Sequence, residues 1–355
     1  MTHRPLISIS LGDPGGIGPE VVVAALRDRT ISAQARFAIH GSSSAMLAAA
    51  DTMNIEPFWW RVDARRDDLA DSASGHDIVL YDSDPELGEQ GVSCEFERRA
   101  TKLGGALSFR WVEAAIADAK RDADDPRRAD AVVTGPISKE AWSMAGRGRW
   151  PGHTELFASR FKATRHAMMF VGDKLRVVLA TVHVPLMDVR NELTIGAVHT
   201  AIDLGHEACL SLGFKKPRIA VAGLNPHAGE GGLLGDEESR IIGPAIRLAA
   251  DTGIDASGPF PGDTVFNAAV AGKFDLVVAM YHDQGLIPVK LLERDVAVNT
   301  TLGLPVPRTS PDHGTAFDIA GTGKADPGSM IASIRLAARL AAHAHASGAG
   351  TGSGR

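Results

Sequence analysis

Short apolar runs alternate with amphipathic stretches along most of the chain. Leu6–Leu11, Ala131–Thr134 and Phe274–Met280 are short and mainly apolar, whereas Thr101–Ala119 and Thr194–Leu212 repeat apolar residues at helical spacing. The first pattern is typical of buried strands and the second of amphipathic helices. Strands that alternate with helices predict an α/β fold with a mostly parallel sheet.

Two parts of the chain depart from this alternation. Ala167–Val171 and Leu175–Thr181 flank Gly172-Asp173, a turn sequence that predicts a β-hairpin. Residues 60–95 are polar and irregular, apart from a predicted strand at Ile78–Tyr81. We interpret them as a surface excursion from the sheet.

The end of the chain is predicted to form a helix over Asp326–Ala342, followed by a tail. Residues 343–355 are rich in alanine and glycine, and we expect them to be disordered. His343 and His345 fall in this tail and are interpreted as incidental.

Composition argues against several classes of protein. A chain of 355 residues predicts one large α/β domain or two interleaved ones. The net charge of −6 and the pI near 6.1 give no electrostatic sign of a nucleic-acid or anionic-membrane partner. Cys94 and Cys209 form no CxxC pair, which argues against a disulfide scaffold and a thiolate zinc site. With no signal-peptide pattern and no apolar run of membrane-spanning length, we expect a cytoplasmic protein.

A glycine-rich loop, Gly12–Glu20, joins the first predicted strand to a predicted helix over Val21–Leu26. Pro19 and Glu20 are typical of a helix start, where backbone N–H groups could hold a phosphate. The loop is not the dinucleotide-binding fingerprint, because the third glycine of that motif falls on Val21. A tight strand-to-helix turn, which needs glycine for its backbone angles, explains the loop equally well.

Three predicted strands each lead into a histidine, namely His183, His227 and His282. Any one of them alone is better explained by a structural role than by a role as a ligand. Because the carboxyl ends of parallel strands converge on one crevice, however, we expect these imidazoles to lie together. Imidazoles with a carboxylate suit zinc, cobalt or manganese better than calcium. Asp263, which follows a Pro-Gly turn, is the candidate carboxylate, and a helix-capping role is its alternative.

A second group of polar residues contains cations, an amide and a hydroxyl. Arginine or lysine with such partners is the grouping that holds a phosphate or a carboxylate. Thr154 precedes acidic and apolar residues in the manner of a helix N-terminus, a position that favours an anion. The group comprises His153, Thr154, Lys290, Asn299 and Arg308. A metal beside it would suit a small oxyanionic substrate whose hydroxyl or carbonyl is polarised by the metal.

Six motifs in order along the chain resemble the 4-hydroxythreonine-4-phosphate dehydrogenase family of vitamin B6 biosynthesis. They are Gly12–Glu20, Thr134–Lys139, Gly152–Glu155, Asn225–Glu230, Tyr281–Lys290 and Ser310–Gly321, and the similarity covers roughly residues 5–340. The resemblance implies a two-domain α/β/α architecture related to isocitrate and isopropylmalate dehydrogenases. It implies two interleaved α/β domains with the active site in the cleft between them, and a homodimer whose partner subunit completes that site.

The resemblance also implies roles for individual residues. It implies a divalent metal (zinc, magnesium, cobalt or manganese) on His183, His227 and His282, with Asp263 close by. It implies substrate contacts from His153, Thr154, Lys290, Asn299 and Arg308. Ser310–Gly321 is similar to the adenine-side loop of the isocitrate dehydrogenase relatives, so contacts to NAD (or NADP) are implied for Asp312, His313, Gly314 and Thr315.

The activity implied is NAD-dependent oxidation of 4-phosphooxy-L-threonine, followed by decarboxylation to 3-amino-2-oxopropyl phosphate. A metal would lower the pKa of the secondary hydroxyl and stabilise the enolate that forms as carbon dioxide departs. Lys139 and Asp263 are the candidate catalytic residues. Lys139 could transfer the proton if burial lowers its pKa, and a surface lysine at a loop is the alternative.

Other substrates and other functions stay open at this point. Branches of the family act on 4-phospho-D-threonate, 4-phospho-D-erythronate or aromatic dihydrodiols. Gly152–Glu155 and Arg308 favour a phosphorylated substrate over a dihydrodiol, whose ring needs no anion site, but they do not separate an α-amino from an α-hydroxy acid. The competing classes are a metallohydrolase, which would release phosphate without a nicotinamide, and a non-enzymatic protein that binds a phosphorylated metabolite.

Overall fold

The structure, a computed structural model, describes residues 4–66, 75–84, 95–294, 296–346 and 348. The chain divides into two compact units. Unit 1 is formed by Met1–Arg160 together with Val306–Arg355, and unit 2 by Phe161–Pro305. Unit 1 is therefore built from both ends of the chain, and unit 2 is inserted between them.

Strands and helices alternate through the described residues. The strands are β1 (Leu6–Ser10), β2 (Arg36–Gly41), β3 (Trp60–Asp63), β4 (Ile78–Asp82), β5 (Ala131–Thr134), β6 (Ala167–Val171), β7 (Arg176–Leu179), β8 (Ile219–Ala222), β9 (Ala256–Phe260), β10 (Leu276–Ala279), β11 (Val298–Leu302) and β12 (Arg308–Pro311). The helices are α1 (Gly18–Arg27), α2 (Arg29–Ser32), α3 (Ser43–Thr52), α4 (Lys102–Ala119), α5 (Lys139–Met144), α6 (His153–Phe161), α7 (Val189–Glu192), α8 (Ile195–Ser211), α9 (Gly243–Asp251), α10 (Val265–Val270), α11 (His282–Glu293) and α12 (Gly328–Ala346).

The strands of unit 1 are all parallel and lie in the order β3-β4-β2-β1-β5-β12. β1 is buried along its whole length, with Ile7 and Ile9 fully inaccessible to solvent. α4 packs against β1 and β2, while α12 packs against β5 and β12. Burial of an aliphatic side chain contributes roughly 1.5–3 kcal/mol to stability. The well-packed core therefore holds the carboxyl ends of these strands in place.

Unit 2 has the strand order β11-β6-β7-β10-β8-β9, in which β6 is antiparallel to both of its neighbours and the remaining pairs are parallel. β10 lies between β7 and β8, pairing Ala279 with Leu179 and Val278 with Val221. The three strands therefore end at the same edge of the sheet. Beyond that edge the pairing continues, because the Thr181 N–H and hydroxyl both donate to the Met280 carbonyl, at 3.2 and 2.7 Å.

The predicted mostly parallel α/β sheet is confirmed in both units. The hairpin at Gly172-Asp173 is present as β6 and β7, and the long helices are α4 and α8. Thr101 and Thr194 cap those two helices, each accepting a backbone N–H at 2.9 and 3.1 Å, respectively. Threonine at this position satisfies a donor that the helix itself cannot pair.

Several expectations need correction. The polar excursion contains a second strand, β3. Helix α11 was not predicted, because it contains Gly285 and Pro288, which are poor helix formers. The last helix continues to Ala346, so residues 343–346 are helical and not part of a disordered tail. Within it His345 Nε2 lies 2.8 Å from Asp130 Oδ1, which makes this histidine a structural contact and not an incidental one. The rest of the predicted tail lies outside the described residues, apart from Gly348.

Two further observations concern cysteine and membranes. Cys209 is a buried free thiol on α8, and burial raises its pKa to about 12, so it is not a reactive thiolate. Cys94 lies outside the described residues. Across the part of the chain that the structure describes, no helix is both long and apolar enough to cross a membrane.

Candidate functional site

A buried arginine occupies the start of β12 in unit 1. Arg308 is only 2% exposed, and its Nη2 donates to the hydroxyl of Thr134, the last residue of the adjacent strand β5, at 2.5 Å. Its Cζ lies 5.6 Å from the centre of the Phe157 ring, on α6. Burial lowers the pKa of Arg308 to about 9, against a partly compensating attraction from Glu155. The guanidinium is still charged at neutral pH, and taking it out of water makes it a strong site for an anion.

His153 lies beside this arginine as the first residue of α6. Its ring meets Trp142 edge to face, with ring centres 5.6 Å apart, and its Nε2 is buried without a hydrogen-bond partner among the described residues. Burial, and then the charges of Arg308 and Lys139, lower the pKa of His153 well below its usual value. The imidazole is therefore neutral at pH 7 and stands in a field that favours a bound anion.

Thr154 and Lys139 complete what we call the anion group: Lys139, His153, Thr154 and Arg308. Thr154 is buried in the first turn of α6, where unpaired N–H groups and the helix dipole attract anions. Lys139 begins α5, and its side chain lies next to Gly152, so it reaches the same place. The side chain of Lys139 is exposed, however, so the burial required for a lysine base is absent.

The loop predicted to contact a nicotinamide cofactor follows β12 in the same unit. Asp312, His313, Gly314 and Thr315 lie in it, and the Thr315 carbonyl accepts the Ile17 N–H at 2.9 Å. Farther along, the buried carboxylate of Glu20 accepts the N–H groups of Gly321 and Gly323. These contacts dock the predicted cofactor loop on the turn between β1 and α1.

The glycine-rich turn Gly12–Glu20 is explained by close packing. A Cβ on Gly16 would lie 2.7 Å from the Thr315 carbonyl oxygen, and one on Gly18 would lie 2.2 Å from the Leu11 carbonyl oxygen. Gly12 also has φ of +86°, which residues with a Cβ rarely adopt. The N–H groups of Gly15 and Gly16 already bond to Asp13, so the turn is not an open phosphate cradle.

A cavity of about 610 Å³ lies between this turn and the cofactor loop. It is lined by small residues of the turn and of α3, and its other walls carry Glu20, Glu95, Phe96, Glu97, Arg98 and Gly321. Small residues leave room for a flat group, so these walls could hold part of a dinucleotide. Asp13, at the base of the turn, is a residue that the sequence reasoning missed: burial raises its pKa to about 6, and its Oδ2 has no hydrogen-bond partner among the described residues.

In unit 2, His183 and His282 emerge from the neighbouring strands β7 and β10. Their ring centres are 5.8 Å apart, and both side chains are accessible to solvent. Nδ1 of His282 lies 2.7 Å from Asp283 Oδ1. Because a carboxylate only accepts, this contact places the proton on Nδ1 and leaves the Nε2 lone pair for a ligand, as in many metal-binding histidines.

His227 and Asp263 line a cavity of about 560 Å³ in unit 2, together with Tyr281 and Asp283. The helix-capping alternative for Asp263 is wrong, because the cap of α10 is Thr264 and no side chain bonds there. We call His183, His227, His282 and Asp263 the histidine group. Among the described residues no three histidine, cysteine or acidic side chains are already arranged around a common metal position. His183 lies next to His282, whereas His227 and Asp263 share the lining of one cavity.

Lys290 and Asn299 are the remaining predicted substrate contacts. Lys290 lies in the last turn of α11 and is exposed; eight residues of helix separate it from His282, or roughly 12 Å along the axis. Asn299 lies on β11, where its Nδ2 contacts Met168 Sδ at 3.8 Å and its Oδ1 is buried without a hydrogen-bond partner among the described residues. Neither residue is therefore next to His282.

Gln284 is a second residue that the sequence reasoning missed. Its Oε1 accepts the Met280 N–H and its Nε2 donates to the Gly223 carbonyl, both at 2.7 Å. It thereby ties the turn that carries His282 to the strand end that leads to His227. A glutamine in the first turn of a helix is a known capping signal, so this role could have been predicted had α11 been recognised.

Comparisons with known proteins agree over nearly the whole chain. Residues 34–337 match the family described as pyridoxal phosphate biosynthetic protein PdxA. A 4-hydroxythreonine-4-phosphate dehydrogenase of Desulfosudis oleivorans is 44% identical over 96% of this chain and 98% of that protein. A D-threonate 4-phosphate dehydrogenase of Salmonella typhimurium is 41% identical over 94% of this chain and 98% of that protein. The crystal structure of a 4-hydroxythreonine-4-phosphate dehydrogenase from Klebsiella pneumoniae matches with a TM-score of 0.80 and 38% identity, covering 96% of this chain and 99% of that one.

Proposed function

The chain belongs to the PdxA family and is a dehydrogenase, and from that premise we propose that it oxidises and decarboxylates 4-phosphooxy-L-threonine with NAD as the oxidant. The hydroxyl at carbon 3 loses its proton and carbon 3 loses a hydride to NAD. The resulting 3-oxo acid loses carbon dioxide and takes up a proton, which gives 3-amino-2-oxopropyl phosphate. Two electrons pass to NAD in the first step, and none are exchanged in the second.

The observation that carries the proposal is the buried Arg308 beside His153 in a chain whose relatives are named for 4-phosphate substrates. A phosphate would bring further negative charge to these desolvated groups, whose own partial compensation comes from Glu155. Arg308 would bind two of its oxygens, while Thr154 and the first turn of α6 donate to the others. An aromatic dihydrodiol that carries no acid group offers no anion for this site.

The histidine group is proposed to hold a divalent cation. Imidazole donors suit zinc, cobalt and manganese, and the Asp283 contact orients His282 with Nε2 available, so the donors fit. We assign His183, His227 and His282 as the ligands, with magnesium as a further candidate ion. When bound, such a cation lowers the pKa of the substrate hydroxyl and offsets negative charge that develops on its oxygen.

Proton removal is proposed for Asp263. Its exposed carboxylate lines the same cavity as His227, and no helix cap competes for it. Lys139 is the alternative, although its place beside His153 suits the phosphate end better. Lys290 and Asn299 are kept as further proposed substrate contacts.

NAD, with NADP as the alternative, is proposed to bind along Asp312–Thr315 and the adjoining cavity of unit 1. The cofactor loop is held there by Glu20 and Ile17, both on or next to α1, which supports a pre-formed surface. Glycine and alanine walls leave space for the adenosine end of the dinucleotide.

A homodimer is also proposed, with part of each active site supplied by the partner subunit. Unit 2 exposes large apolar side chains, among them Met187 at 86%, Leu233 at 83% and Leu291 at 80%. The proposal is that a second copy of the chain covers side chains of this kind.

A specific observation supports a second substrate. The 41% identity to a D-threonate 4-phosphate dehydrogenase is close to the 44% identity to the other branch, and 4-phospho-D-threonate has the same phosphate end. 4-Phospho-D-erythronate is a further alternative of the same kind.

The test is NADH formation with each of the three phosphorylated acids, with and without a chelator. The proposal expects 4-phosphooxy-L-threonine to give the highest kcat/KM and expects the chelator to abolish turnover. Highest turnover with a phosphorylated hydroxy acid would select the second candidate. Turnover that survives complete metal removal would contradict the assignment of the histidine group.

A further inference from the structure

His227 is carried by a turn of unusual backbone. Five consecutive residues, His227 to Gly231, have φ of 51°, 52°, 80°, 43° and 66°, which is a left-handed turn. Three of them, His227, Ala228 and Glu230, have a Cβ, and L-residues avoid this region because the Cβ approaches the backbone carbonyl. A left-handed turn of this length persists only where its surroundings determine it.

The buried carboxylate of Glu238 forms those surroundings. Its Oε1 accepts the N–H groups of Leu224 at 2.8 Å and Asn225 at 2.7 Å, and its Oε2 accepts Asn225 Nδ2 at 3.0 Å. Glu238 is 6% exposed and lies at the start of a single π-helical turn, Glu238–Ile242. Such turns are often found at functional sites, because they redirect side chains out of the regular helix.

A second carboxylate completes the arrangement. Glu237 Oε2 accepts Asn225 Nδ2 at 2.8 Å, so the amide of Asn225 bonds to both carboxylates. This hydrogen bond also lowers the pKa of Glu237, which keeps the carboxylate ionised. The chain just before the left-handed turn is therefore held at one amide side chain and two backbone N–H groups.

Gly229 and Gly235 lie close to the side chains of Glu238 and Asn225. A Cβ on Gly229 would lie 2.7 Å from Glu238 Oε2, and one on Gly235 would lie 2.3 Å from Asn225 Nδ2. The turn thus wraps around the Glu238 carboxylate, which it could not do with larger residues at these two positions. The carboxylate does not reach His227 itself and acts on the backbone that carries it.

We propose that Glu238 is a positioning residue that holds the left-handed turn and so presents His227 to its ligand. The inference rests on the proposed role of His227 in binding a divalent cation. It goes beyond that role, because it assigns the geometry of one ligand to a carboxylate that touches neither substrate nor cation. A residue that orients a ligand typically changes metal affinity by about 10- to 100-fold when it is replaced.

The decisive variant is Glu238→Gln in the full-length protein, which keeps the size of the side chain but replaces one acceptor oxygen with a donor that faces Asn225. Asp236→Asn is the matched control, because among the described residues its exposed carboxylate bonds to the exposed Arg240 side chain and to no group of the left-handed turn. Co²⁺ is the probe, with its visible absorption and its dissociation constant as readouts, and Tm as a measure of folding.

We expect Glu238→Gln to weaken Co²⁺ binding by about 10- to 100-fold and to change the visible spectrum, whereas Asp236→Asn binds Co²⁺ like the native chain. The double variant Glu238→Gln/Glu230→Gly separates positioning from stability. Glycine adopts positive φ without penalty, so we expect the Tm to recover while the Co²⁺ affinity stays low. If Glu238→Gln does not fold, Asn225→Ala, which leaves both backbone bonds in place, should weaken Co²⁺ by about 3- to 10-fold.

Each contrary result has a distinct meaning. Native Co²⁺ affinity in Glu238→Gln, together with lost affinity in His227→Ala, would overturn the positioning role and leave the proposed function intact. Full recovery of affinity in the double variant would reduce Glu238 to a structural residue and also overturn it. Native affinity in His227→Ala would overturn both this inference and the metal assignment on which it rests.

Discussion

The anion group and the histidine group are built in opposite ways. The first is buried: Arg308 is 2% exposed, and burial depresses the pKa of both Arg308 and His153. The second is open, with the His282 side chain 38% exposed and its orientation set by the hydrogen bond that its Nδ1 donates to Asp283. The anion group therefore presents desolvated charge that is already in place, whereas the histidine group depends on loops that present its side chains. Substitutions in the anion group should raise KM, and substitutions in the histidine group should lower kcat.

The largest effect is expected at the histidine group. His282→Ala removes a proposed cation ligand, so kcat/KM should fall by about 10³-fold, mainly in kcat, because the cation supplies several kcal/mol of charge stabilisation. The measurement is NADH formation at saturating divalent metal. His166→Ala, an exposed histidine of the same unit, is the control and should keep native kinetics. A variant of His282 with native kcat would contradict the assignment.

The next effect is expected at the anion group. Arg308→Lys keeps the charge but loses the planar fork, so kcat/KM should fall by about 10- to 100-fold, mainly through KM, since a hydrogen bond to a charged group contributes roughly 1.5–3 kcal/mol. Arg160→Lys, which alters a bidentate pair with Glu113 in the same unit, should leave KM unchanged. A fall confined to kcat would show that Arg308 acts on the chemical step and would remove the contrast between the two groups.

The third prediction concerns the buried carboxyl of Asp13 in unit 1, which should lower the stability of the folded protein when it is ionised. Its pKa is about 6 in the folded protein and 3.8 as a free side chain, so the unfolded chain loses the proton first as pH rises. The stability that the higher pKa of the folded state provides is therefore fully present below about pH 4, and it is lost as the pH rises from about 4 to 6. Asp13→Asn should raise the free energy of unfolding by about 3 kcal/mol at pH 7 and by less than about 1 kcal/mol at pH 4. Denaturant unfolding at the two pH values measures this, and an equal gain at both would contradict it.

The smallest effect is expected for His153. Because its pKa lies well below the usual value, the imidazole stays neutral from pH 6.5 to 8, and its own titration should add no pH dependence to KM in this range. His153→Gln keeps a neutral side chain that can donate, so KM should rise only about 3- to 10-fold. KM measured against pH for both proteins tests this. A native KM that rises steeply with pH, beyond the titration of the substrate phosphate, would mean that His153 binds as a cation.

The strand ends could be predicted from sequence because they follow from local pattern. Apolar runs that end in His183, His227 and His282 predict parallel strands with ligands at one edge, and the structure has β7, β10 and β8 side by side. The same reasoning placed His153 and Thr154 at a helix start, where α6 begins.

The residues that hold these groups could not be predicted in the same way. The left-handed turn at His227 contradicts the preferences of its own residues, and it exists only because Glu238 approaches from a separate turn. Glu20 contacts Gly323, about 300 residues later in the chain, so no local pattern reveals the pair. Residue type grouped Lys290 and Asn299 with the candidate anion-binding residues, and the family resemblance implied that they contact substrate, which stays a prediction.

The central claim, that buried charge in the anion group selects a phosphorylated substrate, is tested most directly by one comparison. It is the ratio of kcat/KM for 4-phosphooxy-L-threonine to that for 4-hydroxy-L-threonine, measured by NADH formation in the native protein and in Arg308→Lys. We expect a ratio of about 10³ or more in the native protein, falling by at least about tenfold in the variant. Similar kcat/KM for the two substrates, or a ratio that Arg308→Lys leaves unchanged, would contradict it.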